Sequence, residues 1–141
     1  MLSITDRLAI QDLYGRYCAL RDTGDIEGWS RCFTEDARLS AQEEVQGRAA
    51  IAEIGRQRIA GAATNPWMNG QHWNNNLIVE GDGQTARALC YLMYMGKRKA
   101  TGEFGITLQG MYEDELVKLD GQWLFRSRKI HLDTPPASII P

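Results

Sequence analysis

Cysteine is too scarce and too scattered in this 141-residue chain to build a scaffold. The three, Cys18, Cys32 and Cys90, are odd in number and form no Cys-x-x-Cys pair. A disulfide framework or a cysteine-rich zinc centre is therefore not expected. Free thiols suit a reducing compartment, so the chain reads as cytoplasmic. Long apolar runs are missing as well; none approaches the roughly 20 residues that cross a bilayer. The N-terminal stretch MLSITDRLAIQDLYGRY is interrupted by Asp6, Arg7, Gln11, Asp12 and Arg16 and does not read as a secretory signal. Positive charge is in short supply: 16 Lys and Arg stand against 18 Asp and Glu. A nucleic-acid surface needs many cationic contacts, so nucleic acid is not expected as a partner, and without a long apolar run neither is a membrane. Histidine occurs twice, at 72 and 131, and any imidazole chemistry must use one of these. There is no Gly-x-Ser-x-Gly motif, and Gly81-Asp82-Gly83 is followed by no helix that could hold a phosphate.

What is present is a change of period along the chain. Ile10, Leu13, Tyr14, Tyr17 and Cys18 recur at helical spacing, with Ser3 or Thr5 available as a cap and Gly24 as a left-handed stop. Asp25 can cap a second, short helix whose apolar face is Ile26, Trp29 and Phe33. Ala37 to Ser40 suits a short strand. A third helix runs from Arg48 to about Ala60, and Gly61 to Gly70, with Pro66, reads as a loop. Strands follow: Gln71 to Glu80, Gln84 to Met95, then a basic loop from Gly96 to Gly105. Ile106 to Leu119 and Trp123 to Leu132 form a hairpin about Asp120-Gly121. The tail from Thr134 carries Pro135 and Pro136 and cannot continue a sheet. Helices first and strands after predict a single α+β domain over residues 1–141, with helices on one face of an antiparallel sheet.

The last hairpin admits two registers. A two-residue turn pairs Lys118 with Trp123 and Glu113 with Arg128. A three-residue loop pairs Lys118 with Gln122 and Tyr112 with Arg128. The second gathers Leu108, Tyr112, Leu116, Leu124, Arg128, Ile130 and Leu132 on one face, as a sheet backed by helices requires, and is the expected one. It makes Arg128 a polar intruder in an apolar row. It also turns His131 outward, away from His72, which argues against a shared metal site. Trp73, Met111, Trp123 and Phe125 then occupy the convex face, and four large apolar groups there predict a homodimer or homotrimer.

Four side chains could carry chemistry. His72 opens a strand in QHWNNNLIVE, where alternation places it with Asn74, Asn76 and Ile78. Its affinity for protons near neutrality suits proton transfer, although a neighbouring backbone group could equally satisfy it. Asp22 closes the first helix at the negative end of the dipole, where a carboxylate is disfavoured; solvation beside a turn would explain it too. An Asp that binds one imidazole nitrogen sets the tautomer and frees the other as a base. Asp22 and His72 could form such a dyad across 50 positions of sequence, which by itself shows no contact. Tyr17 could donate its phenol to a substrate oxygen, or serve as a core aromatic. Arg128 could stabilise a developing anion, or pair across strands with an acid. Tyr14, Trp29, Asn76, Tyr91 and Tyr112 are candidates to line a substrate pocket, each aromatic being equally suited to a core.

The order and spacing of several segments resemble the SnoaL-like group of the cystatin-like α+β superfamily. This superfamily also holds nuclear transport factor, scytalone dehydratase and steroid isomerase. The segments are IQDLYGRYCALRD, DIEGWSRCFTEDA, QGRAAI, QHWNNNLIVEGDG and GMYEDELVKLDGQWLFRSRKI, spanning nearly the whole chain. The resemblance implies a curved antiparallel sheet wrapped into a cone by three helices around one internal pocket. The start and the Asp-Gly hairpin are similar to those of hexachlorocyclohexane dehydrochlorinase. The Tyr17–Asp22 spacing is similar to that of bile-acid 7α-dehydratase. In both enzymes a histidine matching His72 pairs with the aspartate, and Arg128 matches an active-site arginine of the dehydrochlorinase. Where that enzyme has a lysine, Tyr17 looks more like a dehydratase. The implied activity is a cofactor-free, dehydratase-type elimination on a small hydrophobic cyclic substrate. A proton-shuttling isomerase or cyclase uses the same parts, and a ligand-binding or docking module shares the same shell.

Overall fold

The computed structural model describes residues 1–41 and 43–132. The expectation for the proline-bearing tail falls outside the described residues. Helix α1 (Ile4–Thr23) starts in a reciprocal cap: Ser3 Oγ accepts from the Asp6 amide at 3.0 Å, and the Asp6 carboxylate accepts from Ser3. It stops where Gly24 adopts φ 82°, a conformation a side chain resists. Its buried face is the expected one, Ile10, Leu13, Tyr14, Tyr17 and Cys18. Asp25 caps α2 (Ile26–Ser30) by accepting from the Gly28 amide at 2.8 Å. Phe33 is not part of that helix; it opens strand β1 (Phe33–Ser40), which turns back into β2 (Glu44–Gln46). Helix α3 (Arg48–Ala60) matches the predicted span and ends in a short 3-10 turn, Gly61–Ala63. No helix among the described residues is long and apolar enough to cross a membrane.

Four long strands complete the described residues: β3 (Trp67–Gly81), β4 (Thr85–Arg98), β5 (Phe104–Leu119) and β6 (Gln122–Leu132). The two segments read as loops, Gly61–Gly70 and Gly96–Gly105, are shortened at their ends, where residues 67–70, 96–98 and 104–105 join these strands. Sheet order is β2-β1-β6-β5-β4-β3, open at both ends, with the helices on its concave side. One pair departs from the antiparallel expectation: β1 runs parallel to β6. The two are distant in sequence, so no hairpin constrains their direction.

The β5–β6 hairpin follows neither predicted register throughout. Asp120 and Gly121 take φ 49° and 80°, which makes a tight two-residue turn and pairs Lys118 with Trp123. Between Leu116↔Phe125 and Glu115↔Ser127 the strand carries one extra residue, Arg126. This bulge inverts the alternation. Trp123 and Phe125 point inward on the turn side, and Arg128 and Ile130 point inward beyond it. Trp123 and Phe125, expected on the convex face, are therefore core residues. Their aromatic bulk fills the concave side, where Phe125 meets Tyr14, Tyr17 and Phe33 at ring-centroid distances of 5.2, 5.6 and 5.6 Å. Of the predicted outer set, Trp73 stays exposed beside Met111, above a shallow 440 Å³ depression that also includes Tyr91 and His131.

Candidate active site

Helix α1 lies antiparallel to β3 across the open edge of the sheet. Arg7 Nη1 donates to the Val79 carbonyl at 3.0 Å at one end, and Asp22 meets His72 at the other. The contact is double. Asp22 Oδ1 lies 2.5 Å from His72 Nδ1, and Asp22 Oδ2 accepts the His72 main-chain N–H at 2.8 Å. Carboxylate and imidazole are 16% and 19% exposed, sheltered but reachable. A carboxylate on Nδ1 places the proton there and leaves Nε2 with its lone pair, the form a general base needs. The cost of a carboxylate at a helix C-terminus is offset by this partner and by the strand amide.

Between helix and strand runs a cleft of about 880 Å³. Tyr14, Cys18 and Arg7 border it on the helix side, His72, Asn74, Asn76 and Val79 on the strand, and Cys90 on β4. Of the expected lining residues, Tyr14 and Asn76 are thus at the cleft. Asn76 sits in a bulge at φ 54°, between Asn75↔Tyr91 and Ile78↔Leu89. The bulge ends the alternation expected for β3, sending Ile78 outward and Leu77 and Val79 inward. Trp29 and Tyr112 are fully buried in the core and leave no surface for a ligand. Tyr91 stands 50% exposed on the opposite face of the sheet. Its neighbours in the chain, Cys90 and Leu92, take the inward positions that strict pleating denies it.

Arg128 and Tyr17 occupy the core rather than the cleft wall. Arg128 is fully buried and grips Asp114 with two bonds, Nε to Oδ1 at 2.8 Å and Nη2 to Oδ2 at 2.7 Å. Four rings surround its guanidinium: Tyr112 at 3.8 Å, Phe125 at 3.9 Å, Tyr17 at 4.2 Å and Tyr14 at 5.0 Å. Burial by itself would discourage that charge, but the Asp114 carboxylate more than compensates and holds Arg128 protonated. The Tyr14 hydroxyl donates to Asp114 Oδ2, and burial followed by that carboxylate raises its phenol well above the ordinary range. Arg128 Nη1 has no partner among the described residues.

Three further residues of the site were not identified from sequence. Asp114 carries no local signal, because only the bulge at Arg126 brings it opposite Arg128. Tyr94 is the register partner of His72 on β4, with ring centroids 4.5 Å apart. Asn74, read only as a face-mate of His72, buries an amide whose two ends find no partner among the described residues. No group of three His, Cys, Asp or Glu side chains that could hold a metal converges among the described residues.

The fold places the chain among the small α+β proteins that pack a first helix against a curved sheet. It belongs to the SnoaL-like domain family, whose profile matches residues 2–129. A protein of unknown function from Mycobacterium tuberculosis is 32% identical, with a TM-score of 0.82 over 92% of this chain and 72% of that one. An NTF2-like protein with a cystatin-like fold from Novosphingobium aromaticivorans is 27% identical, with a TM-score of 0.81 over 95% and 86%. A candidate scytalone dehydratase from the same organism shares the fold at 23% identity, with a TM-score of 0.79 over 98% and 91%. No curated protein matches the chain.

Proposed function

We propose that this chain is a cofactor-independent lyase that removes water from a small hydrophobic cyclic substrate, with His72 as general base and Asp22 as its orienting partner. The observation that carries this reading is the 2.5 Å contact between Asp22 Oδ1 and His72 Nδ1 at the end of an accessible cleft. His72 Nε2 takes the proton from a carbon next to a carbonyl. The C–H electron pair becomes the new C=C bond, the β C–O bond breaks, and the His72 imidazolium returns its proton to the departing hydroxyl, which leaves as water. Asp22 stabilises the imidazolium formed on the way. Arg128 supports the reaction from behind, as a fixed positive charge that clamps Asp114 and Tyr14 under the cleft.

The reading also draws on the family and on the fold shared with a candidate scytalone dehydratase. The test is a panel of hydroxylated cyclic ketones offered to wild type and to His72→Ala. Turnover by wild type and its loss, about 100-fold or more, in the variant is the expected result. Equal turnover by both proteins removes His72 from the mechanism. Return of substrate deuterium to another carbon, with no water lost, would instead make the reaction an isomerisation.

A further inference from the structure

We infer that Tyr94 is a catalytic residue of this site, the donor whose phenolic O–H binds and stabilises the substrate oxygen opposite His72; this rests on the elimination proposed above. An elimination needs a hydrogen-bond donor for the carbonyl whose oxygen gains charge as the proton leaves. Tyr17, the tyrosine expected for that task from sequence, is enclosed among Trp29, Phe33, Tyr112 and Phe125, with its ring on the Arg128 guanidinium. Tyr94 is placed better. Its side chain stands beside His72 on the same face of paired strands, and its half-buried phenol oxygen has no hydrogen-bond partner among the described residues.

The backbone makes room for that phenol at one point. A Cβ on Gly70 would lie 1.8 Å from the Tyr94 oxygen and 2.3 Å from Cζ. The phenol end of the ring therefore sits against the bare α-carbon of Gly70, two residues before the base. Any other residue at 70 would push it away. Glycine inside a strand marks a bulge or a close approach, and Gly70 serves both: it lies in the Met68–Gln71 irregularity of β3 and meets the Tyr94 phenol. Here the approaching group is the Tyr94 phenol, on the ring that also packs against the imidazole. Burial and the nearby Asp22 carboxylate raise its pKa, with Arg21 opposing, which favours the protonated, donating hydroxyl.

The test separates binding from turnover. The probe is chromone, a bicyclic conjugated ketone with no leaving group, titrated into each protein while its ultraviolet band is followed. Donation to the carbonyl moves the band to longer wavelength. Wild type, His72→Gln and Tyr17→Phe should show the shift. Tyr94→Phe and Gly70→Ala should bind chromone without it, and Tyr94→Phe should lower kcat by about 100-fold or more with KM little changed. Because Tyr94→Phe alters only one hydroxyl, its fold is checked by an unchanged circular dichroism spectrum. A wild type that leaves the band unmoved, or a Tyr94→Phe protein that keeps the full shift, overturns the assignment. A shift lost only in Tyr94→Phe and Gly70→Ala, with no hydroxyketone turned over, sustains the donor and sinks the lyase.

Discussion

Asp22 spends both carboxylate oxygens on one residue, holding the His72 ring at 2.5 Å and the His72 main-chain amide at 2.8 Å. The ring cannot swing away without breaking a bond that also ties helix α1 to strand β3. An amide in place of the carboxylate cannot accept on both sides. Asp22→Asn should therefore turn the imidazole to the other tautomer and lower kcat by about 10⁴-fold, with the fold retained. Nitrogen-15 spectra of His72 read the tautomer directly. A variant whose Nδ1 remains protonated would show that Asp22 does not set it.

The Arg128–Asp114 pair is a buried ion pair with aromatic walls, and such pairs are fragile to removal of one partner. Asp114→Ala should cost about 3–5 kcal/mol in urea unfolding, because it strands a buried cation. The double variant Asp114→Leu with Arg128→Met should recover most of that loss. A single variant no less stable than wild type would mean that Arg128 escapes to solvent.

The bulge at Arg126 decides which β6 side chains stabilise the fold. Phe125→Ala should cost about 3–5 kcal/mol, as expected for a fully buried aromatic. Leu124→Ala should cost less than half as much. The reverse order in denaturant melts would restore the unbulged register.

Asp6 couples the start of α1 to the β5–β6 hairpin. Its carboxylate accepts from Ser3 Oγ at 2.6 Å, Lys118 Nζ at 2.9 Å and Trp123 Nε1 at 2.9 Å. Those bonds, Ser3 foremost, hold its pKa far below the ordinary carboxylate range. A depressed carboxylate stabilises the fold fully above its unfolded pKa of about 4 and loses that contribution as the pH falls toward the folded value. Asp6→Asn should therefore melt lower than wild type at pH 7, and the gap should narrow steadily below pH 4. A gap that stays constant down to pH 2 would assign the loss to packing instead.

The three thiols should be inert in the folded protein. Burial pushes Cys18 up to about 12 and Cys32 and Cys90 up to about 11. Iodoacetamide at pH 8 should modify none of them quickly until urea is added, as mass spectrometry would record. Rapid native labelling of Cys18 or Cys90, which border the cleft, would reveal an open site.

Local chemistry made much of this legible. The Ser3, Gly24 and Asp25 signals end and begin helices by hydrogen bonding within a few residues, so they read correctly from the chain. The face of α1 followed from its period, and the strands from their apolar cores. Tyr91 faces outward on a regular stretch of β4 whose inward positions belong to Cys90 and Leu92, whereas Ile78, Trp123 and Phe125 depart from the expected faces for one shared reason. Each of the latter lies in or beyond an interrupted alternation, and the bulges at Asn76 and Arg126 leave no mark in composition.

The sequence by itself determined the α+β order, the span of the opening helix, the position of the last turn at Asp120-Gly121 and the few residue types capable of proton transfer; the two-residue form of that turn came from the structure. Each of the former depends on neighbours along the chain. Only tertiary structure decided that Asp22 touches His72, that Asp114 faces Arg128, and that Tyr94 rather than Tyr17 stands beside the His72 ring. Those contacts join residues from separate elements, and a single-residue bulge, energetically small and compositionally silent, shifts a whole strand from one face to the other.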